Sequence, residues 1–465
     1  LGELAATHLR DGRYKWLAHR AFWAGRDHYQ DFDAGLGALC EPRIALAYLL
    51  ADDTVKETPP LPGLTLTQRR LRKRQDPWGL TVDGVVQPYW PMSQDWQPNK
   101  LIFRAGPTEK DDFMLVQAAN AAGHGHPDSS QIIFYGGKQA FYLITTAGRL
   151  DDGMDTHDEF MLVDPQRGDK FWSPIESSEG TSVPVKGQAS DSSYARLRVQ
   201  EYPGTPVTEE AWQRNLKSGP SGYPPAAALG YKNWPARLDR CVLFVNNQFS
   251  VIRDVVNPSL SFEAQMGQNW CVGEIGPTVG TNWVNVWMPR KIYGRIIGQY
   301  QPMTSAPRDL LIWFAPRADG AMEITDRTKV LSWGNAPLNL GRRVWFPSTG
   351  HWEPGRPQAF TTVLLPHEPV ADPSTLAANL SVRRDSAEVT ILQVKDGDTI
   401  RTCVLNTGGR LVAVGDWRLD AEAALITSNK GQPTHISAWH ATSVTLNGKA
   451  LLHSAEPQDL DQPVR

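Results

Sequence analysis

The chain has 465 residues and a formal net charge of −3, which excludes a protein that coats nucleic acid by bulk positive charge and leaves polyanion binding to a local field. No stretch approaches the roughly 18 apolar residues that cross a bilayer, and no recognition-helix, zinc-finger or aromatic RNA-binding pattern is present. Thirty-nine glycines, 35 prolines and 17 tryptophans favour a turn-rich β protein over a helical one. The four cysteines, Cys40, Cys241, Cys271 and Cys403, show no Cys-x-x-Cys spacing. Cys241 and Cys271 lie in apolar runs where a free thiol is an ordinary small core residue, and spacing alone leaves a disulfide between them open.

In chain order, residues 1–57 read as helical. Tyr14, Trp16, Phe22 and Trp23 recur at helical intervals, and Pro42 stands near the start of an apolar run ending at Leu50. Tyr14, Tyr29 and Tyr48 are expected to be packing residues. Residues 58–99 read as a linker, carrying the basic run Arg69-Arg70-Leu71-Arg72-Lys73-Arg74 beside Thr-Pro-Pro-Leu-Pro-Gly. Strands are expected at Leu101–Arg104, Phe113–Val116, Ile132–Tyr135, Phe141–Ile144 and Phe160–Val163. Before the third of these stands Gly123-His124-Gly125-His126-Pro127-Asp128-Ser129-Ser130. Side chains at i and i+2 of an extended segment share a face, so His124 and His126 can address one cleft. The plainer alternative is a tight turn whose histidines only cap a strand.

Further along, Tyr194–Val199 alternates like a half-buried strand, and Cys241–Val245 and Phe249–Asp254 flank Asn246-Asn247, residues that tolerate the positive φ of a tight hairpin. Residues 203–236 read as a long loop with a short helix near Glu209 to Leu216. Trp270, Trp283 and Trp287, interleaved with Asn269, Asn282 and Asn285, suit sugar contacts or packing. After a short helix at Ser374–Ala378, turns at Asp396-Gly397, Asn406-Thr407-Gly408-Gly409 and Asn447-Gly448 mark a small β module over 376–465.

The ordered series from the Leu101–Arg104 strand through the histidine turn to Thr156-His157-Asp158-Glu159-Phe160-Met161-Leu162-Val163-Asp164 resembles the C-terminal β-sandwich of the heparinase II/III-like polysaccharide lyases. The resemblance is specific over roughly residues 88 to 165, looser to about 370 and faint beyond. It implies a mainly β fold: a large antiparallel β-sandwich over 100–375, preceded by the tail of an α/α toroid in 1–57 and closed by the small C-terminal β module. It also implies that most of the toroid, with its tyrosine acid and base, lies upstream; a chain opening on Leu1 fits a fragment or processed product.

By the same resemblance His124 matches the histidine that projects into the cleft toward the uronate, and His126 and His157 match metal ligands, zinc above all. The carboxylate ligand of the family falls where this chain reads Ile144-Thr145-Thr146. Either the metal is absent, or Asp151, Asp152 or Asp155 supplies the oxygen, Asp155 being the one assigned here. Asp158 replaces an asparagine and adds negative charge that could serve a cation. The implied substrate is an acidic, uronate-containing polysaccharide, and the implied location periplasmic or extracellular.

The chemistry implied is β-elimination. Removing the C5 proton of a 4-linked uronic acid pushes charge into a carboxylate that is already negative, so that carboxylate must first be neutralised. A base then takes the proton and an acid protonates the departing O4, leaving a 4,5-unsaturated uronate. Two alternatives stand beside this: a non-catalytic carbohydrate-binding relative, and a metal-assisted glycan hydrolase using bound water.

Overall fold

The computed structural model describes residues 2–15, 52, 54–59, 61–70, 81–82, 85–86, 96–108, 111–118, 130–137, 140–144, 158, 160–163, 171–172, 181–199, 236–272, 274–287, 308–330 and 337–464. A helix, α1 (Gly2–Leu9), comes first. Seven strands follow: β1 (Gly63–Arg70), β2 (Thr81–Val82), β3 (Val85–Val86), β4 (Trp96–Arg104), β5 (Phe113–Gln117), β6 (Ile132–Gly137) and β7 (Ala140–Ile144). Next are β8 (Phe160–Val163), β9 (Phe171–Trp172), β10 (Thr181–Gln188), β11 (Ser192–Val199), β12 (Ala236–Val245), β13 (Phe249–Pro258) and β14 (Phe262–Val272). Then come β15 (Glu274–Val279), β16 (Trp283–Trp287), β17 (Asp309–Phe314), β18 (Glu323–Val330), β19 (Pro337–Trp352) and β20 (Gln358–His367). Helix α2 (Pro373–Ala378), capped by the Asp372 carboxylate on the Ser374 and Thr375 amides, leads to β21 (Leu380–Asp385), β22 (Val389–Asp396), β23 (Thr399–Asn406), β24 (Val412–Val414), β25 (Trp417–Asn429), β26 (Gln432–Leu446) and β27 (Lys449–Pro463).

Every ladder among the described residues is antiparallel. Among the described residues an eight-stranded sheet, ordered β10-β11-β12-β13-β20-β17-β16-β15, forms the middle layer. One of its faces carries two five-stranded sheets, β1-β4-β5-β6-β7 and β18-β19-β14-β8-β9, and the other carries the sheet of β21 to β27. Strand β12 shows how one segment serves both faces. Leu238, Val242 and Phe244 pack toward the paired five-stranded sheets, whereas Cys241, Leu243 and Val245 pack toward the outer sheet, the period-2 alternation of a strand. With both faces covered, nine of its ten residues are buried, so its second half, Cys241–Val245, reads as a continuous apolar run rather than an alternating one, while its first half carries Arg237, Asp239 and Arg240. Trp270, Trp345 and Trp439 are fully enclosed in these layers, where burying a large side chain contributes about 1.5–3 kcal/mol each.

The expected mainly antiparallel β architecture is what the chain adopts. The hairpin at Asn246-Asn247 forms with Asn247 at φ 57°, and Asn447-Gly448 turns with both residues at positive φ. Gly63–Arg70, expected to lie in a linker, is instead strand β1, paired along its length with β4; the remainder of the basic run lies outside the described residues. Tyr14, expected in a core, is 39% exposed, and Tyr29, Tyr48 and the helix expected near Glu209 lie outside the described residues. Cys241, Cys271 and Cys403 are buried and form no disulfide with one another.

The outer sheet is fastened by a charge. Arg253, fully buried on β13, donates from Nε to Thr390 Oγ1 (2.7 Å), from Nη1 to Thr407 Oγ1 (2.9 Å) and from Nη2 to the carbonyls of Ser386 (2.8 Å) and Ala387 (2.9 Å). Arg253→Met strips all four bonds and leaves the part-buried Ser386 carbonyl short of a donor, while the Ala387 carbonyl keeps Thr407 Oγ1, so a loss of about 1–3 kcal/mol is expected. Denaturant unfolding followed by peptide-level hydrogen exchange reads this as faster exchange over residues 386–407 than over the middle sheet.

Candidate functional site

The site is built at the seam between the middle sheet and the pair of sheets on its first face. Strand β6 begins at Ile132, shortly after the histidine-bearing segment in sequence. Its entry is fixed by Ser130, at φ 73°, whose amide donates to the Gln117 carbonyl (2.8 Å), while the Gln117 amide donates to the Gln131 carbonyl (2.8 Å). The Ile132 amide donates to the carbonyl of Asp158 (3.0 Å), the residue that follows His157. The described ends of the two histidine-bearing segments therefore meet.

A buried guanidinium lies beneath that meeting point. Arg240, on β12, donates from Nη1 to the carbonyls of Ser130 (2.7 Å) and Asp158 (3.3 Å). Its Nε and Nη2 make a two-pronged pair with Asp254 on β13, both at 2.7 Å, and its Cζ lies 5.9 Å from the Trp270 ring centre. Both charged side chains are fully enclosed. A buried pair is tolerated only when its remaining donors and acceptors are satisfied. Here Gln268 Nε2 donates to Asp254 Oδ2 (2.8 Å) and Thr362 Oγ1 donates to Gln268 Oε1 (2.5 Å), which extends the network to β14 and β20.

His124, His126, Asp155 and His157, with Thr145, Asp151 and Asp152, lie outside the described residues. Asp158 is fully buried, and its Oδ1 accepts the Cys271 amide at 2.5 Å, a backbone donor on β14 that faces it across the layer. Among the described residues no group of three or more His, Cys, Asp or Glu side chains is arranged to hold a metal ion, and no described helix is long and apolar enough to cross a membrane. Of the tryptophans weighed for sugar contact, Trp270 is wholly core while Trp287 is 45% exposed. Asn282 and Asn285 are committed elsewhere, Asn282 donating to the Phe314 carbonyl and Asn285 bonding His367.

Sequence reasoning missed Arg240 and Asp254. The signal was available: a turn at Asn246-Asn247 sets a register that places Arg240 opposite Asp254. It also passed over Tyr135 and Tyr142, whose rings meet edge-on at 5.0 Å beside Asp112. Burial, reinforced by the Asp112 charge, pushes both phenols well above the ordinary tyrosine range. Both phenols therefore stay protonated near neutral pH.

No family model matches the chain, and no curated protein matches it. Among solved structures it is similar to the heparan sulfate lyase HepC from Pedobacter heparinus, at 12% identity and a TM-score of 0.40 over 71% of this chain and 41% of that one. It is also similar to a Paenibacillus xanthan lyase, at 10% identity and a TM-score of 0.42 over 87% of this chain and 34% of that one. A 4-alpha-glucanotransferase from Thermococcus litoralis overlaps at 8% identity and a TM-score of 0.29 over 58% of this chain. The chain spans less than half the length of either lyase it matches, and overlaps of this extent carry no functional conclusion for it.

Proposed function

We propose that this chain is the β-sandwich part of a polysaccharide lyase that cleaves uronate-containing glycans by β-elimination, acting in the periplasm or outside the cell. The observation that supports the reading is the junction of Ser130 with Asp158. Two segments that carry His124, His126 and His157 are anchored side by side although 28 residues separate the anchor points in sequence. Four residues of chain reach at most about 14 Å, which bounds His126 relative to Ser130, and His157 is bonded directly to Asp158.

In this reading His124 donates a proton or hydrogen bond to the uronate carboxylate and so stabilises the charge that develops when the C5 proton leaves. Histidine suits the role because its ordinary pKa of about 6.5 lies near working pH. In this reading the base and the acid come from an upstream helical domain, as the resemblance implies. The implied divalent metal would be held by His126, His157 and Asp155, and no step here depends on it.

The test is incubation of the full-length polypeptide with a panel of uronate polymers, following ultraviolet absorbance. Elimination produces an absorbing unsaturated end in step with new reducing ends. New reducing ends without absorbance would establish the hydrolase alternative, and binding without either product would establish the carbohydrate-binding one.

A further inference from the structure

We infer that a cleft between the middle sheet and the outer one is a binding site for a neutral, hydroxyl-rich ligand, a sugar unit of a glycan. The cleft, of about 360 Å³, is lined by residues 316–319 in the loop after β17, 357–359 at the start of β20, and 385–387 at the end of β21 and the turn that follows. That volume lies within the range of small-molecule sites. None of these residues belongs to the histidine-bearing segments, so the inference goes beyond the lyase reading and does not depend on it.

Two lining groups are fixed in place yet incompletely bonded. Asp385 accepts from Thr390 Oγ1 (2.6 Å) and from Thr361 Oγ1 (3.3 Å), both at Oδ1, and among the described residues no donor reaches its Oδ2. The turn that carries it is held from behind by Arg253, bonded to the carbonyls of Ser386 and Ala387. Arg317 donates from Nη1 to the Ala359 carbonyl (2.6 Å) and from Nη2 to Gln358 Oε1 (2.9 Å), with its Cζ 4.3 Å from the Phe360 ring centre. That bond orients the Gln358 amide and leaves Nε2 without an acceptor among the described residues. The cleft thus offers a fixed acceptor and a fixed donor, and a hydroxyl, which is both at once, answers each. Charge argues against an ion. Asp319 pairs with Arg317 at 3.4 Å, and burial raises the Asp385 carboxyl while the Thr390 bond and the Arg253 and Arg317 charges oppose the rise. With each carboxylate matched by a guanidinium, neither a metal cation nor an anion meets a net attraction. An apolar ligand would strip water from the open Asp385 and Gln358 atoms and give nothing back. Because both groups are already held, little ordering is lost when a sugar enters.

The experiment titrates the full-length polypeptide by calorimetry with the neutral disaccharides cellobiose, xylobiose, mannobiose and lactose, and with calcium chloride and sodium glucuronate as ionic probes. Saturable binding of at least one neutral disaccharide is expected, with Kd on the order of 1 mM, together with slower hydrogen exchange over residues 316–319 and 385–387 at saturation. Asp385→Asn keeps an acceptor for both threonines and turns the open oxygen into an amide donor, and Gln358→Ala removes the open donor. Checked for an intact cooperative melt, they should weaken binding about tenfold and about threefold, the scale of one charged and one neutral hydrogen bond. If a variant fails to fold, exchange protection in the unaltered protein still locates the ligand. No binding across the four disaccharides, protection elsewhere with none at these residues, binding that both folded variants leave unchanged, or uptake of calcium or glucuronate that Asp385→Asn abolishes, would each overturn the inference. A protein that binds these sugars but eliminates no polymer keeps this site and loses the lyase reading, and one that eliminates uronate polymers without binding them does the reverse.

Discussion

His124→Ala is expected to lower kcat for elimination by about 10²–10³-fold, the usual cost of losing one donor aimed at developing negative charge. Polymer affinity should change far less, because binding a long glycan draws on many contacts and, in the proposed elimination, the imidazole would contribute most when the C5 proton departs. His124→Gln, which keeps a neutral donor, should fall between the two. Initial rates from ultraviolet absorbance give kcat, and polymer titration of the inactive variant gives affinity. Loss of affinity with unchanged kcat would instead make His124 a binding residue.

Asp254→Ala is expected to be the most destabilising single change among the described residues of the site, costing about 3–5 kcal/mol. The substitution leaves the Arg240 guanidinium fully enclosed with only two carbonyls as hydrogen-bond partners, and it removes one of the two acceptors of Gln268 Nε2. A buried cation without a counter-charge is far more costly than the loss of a hydrogen bond. The paired Arg240→Met/Asp254→Leu variant should regain most of the loss, since exchanging both partners for apolar groups is often near neutral. The difference between the single and paired changes measures the coupling, read from urea midpoints. Equal destabilisation by both would mean the pair contributes through its shape and not through its charge.

Much of the fold was legible because local chemistry and global position agree. Asn246-Asn247 marks a hairpin between two apolar runs, Asp396-Gly397 and Asn447-Gly448 mark two more, and Ile132–Tyr135 follows the histidine turn as a strand. Strand β1 was hidden. Leu64 and Leu66 alternate with threonines in the pattern of a half-buried strand, but the arginines that follow carry the composition of a solvated linker.

The layering was illegible for another reason. A strand covered on both faces loses its alternation, so β12 and β13 disclose neither which sheet each face meets nor that Arg240 and Arg253 are buried in opposite directions. Buried charge contradicts composition-based expectation and is explained only by partners distant in sequence: Ser130 and Asp158 for Arg240, Thr390 and Thr407 for Arg253. The histidine turn itself stood out because paired imidazoles beside glycine are chemically conspicuous. Its anchoring did not, since backbone carbonyls leave no mark in sequence.

Elimination consumes no water, and hydrolysis adds one molecule across the cleaved bond. The most direct measurement is therefore the mass of the oligosaccharides released from a uronate polymer in water enriched in oxygen-18. The lyase account predicts unsaturated products lighter than hydrolytic fragments by one water, with no heavy oxygen gained at the cleaved linkage. Saturated products carrying oxygen-18 at that linkage would contradict it.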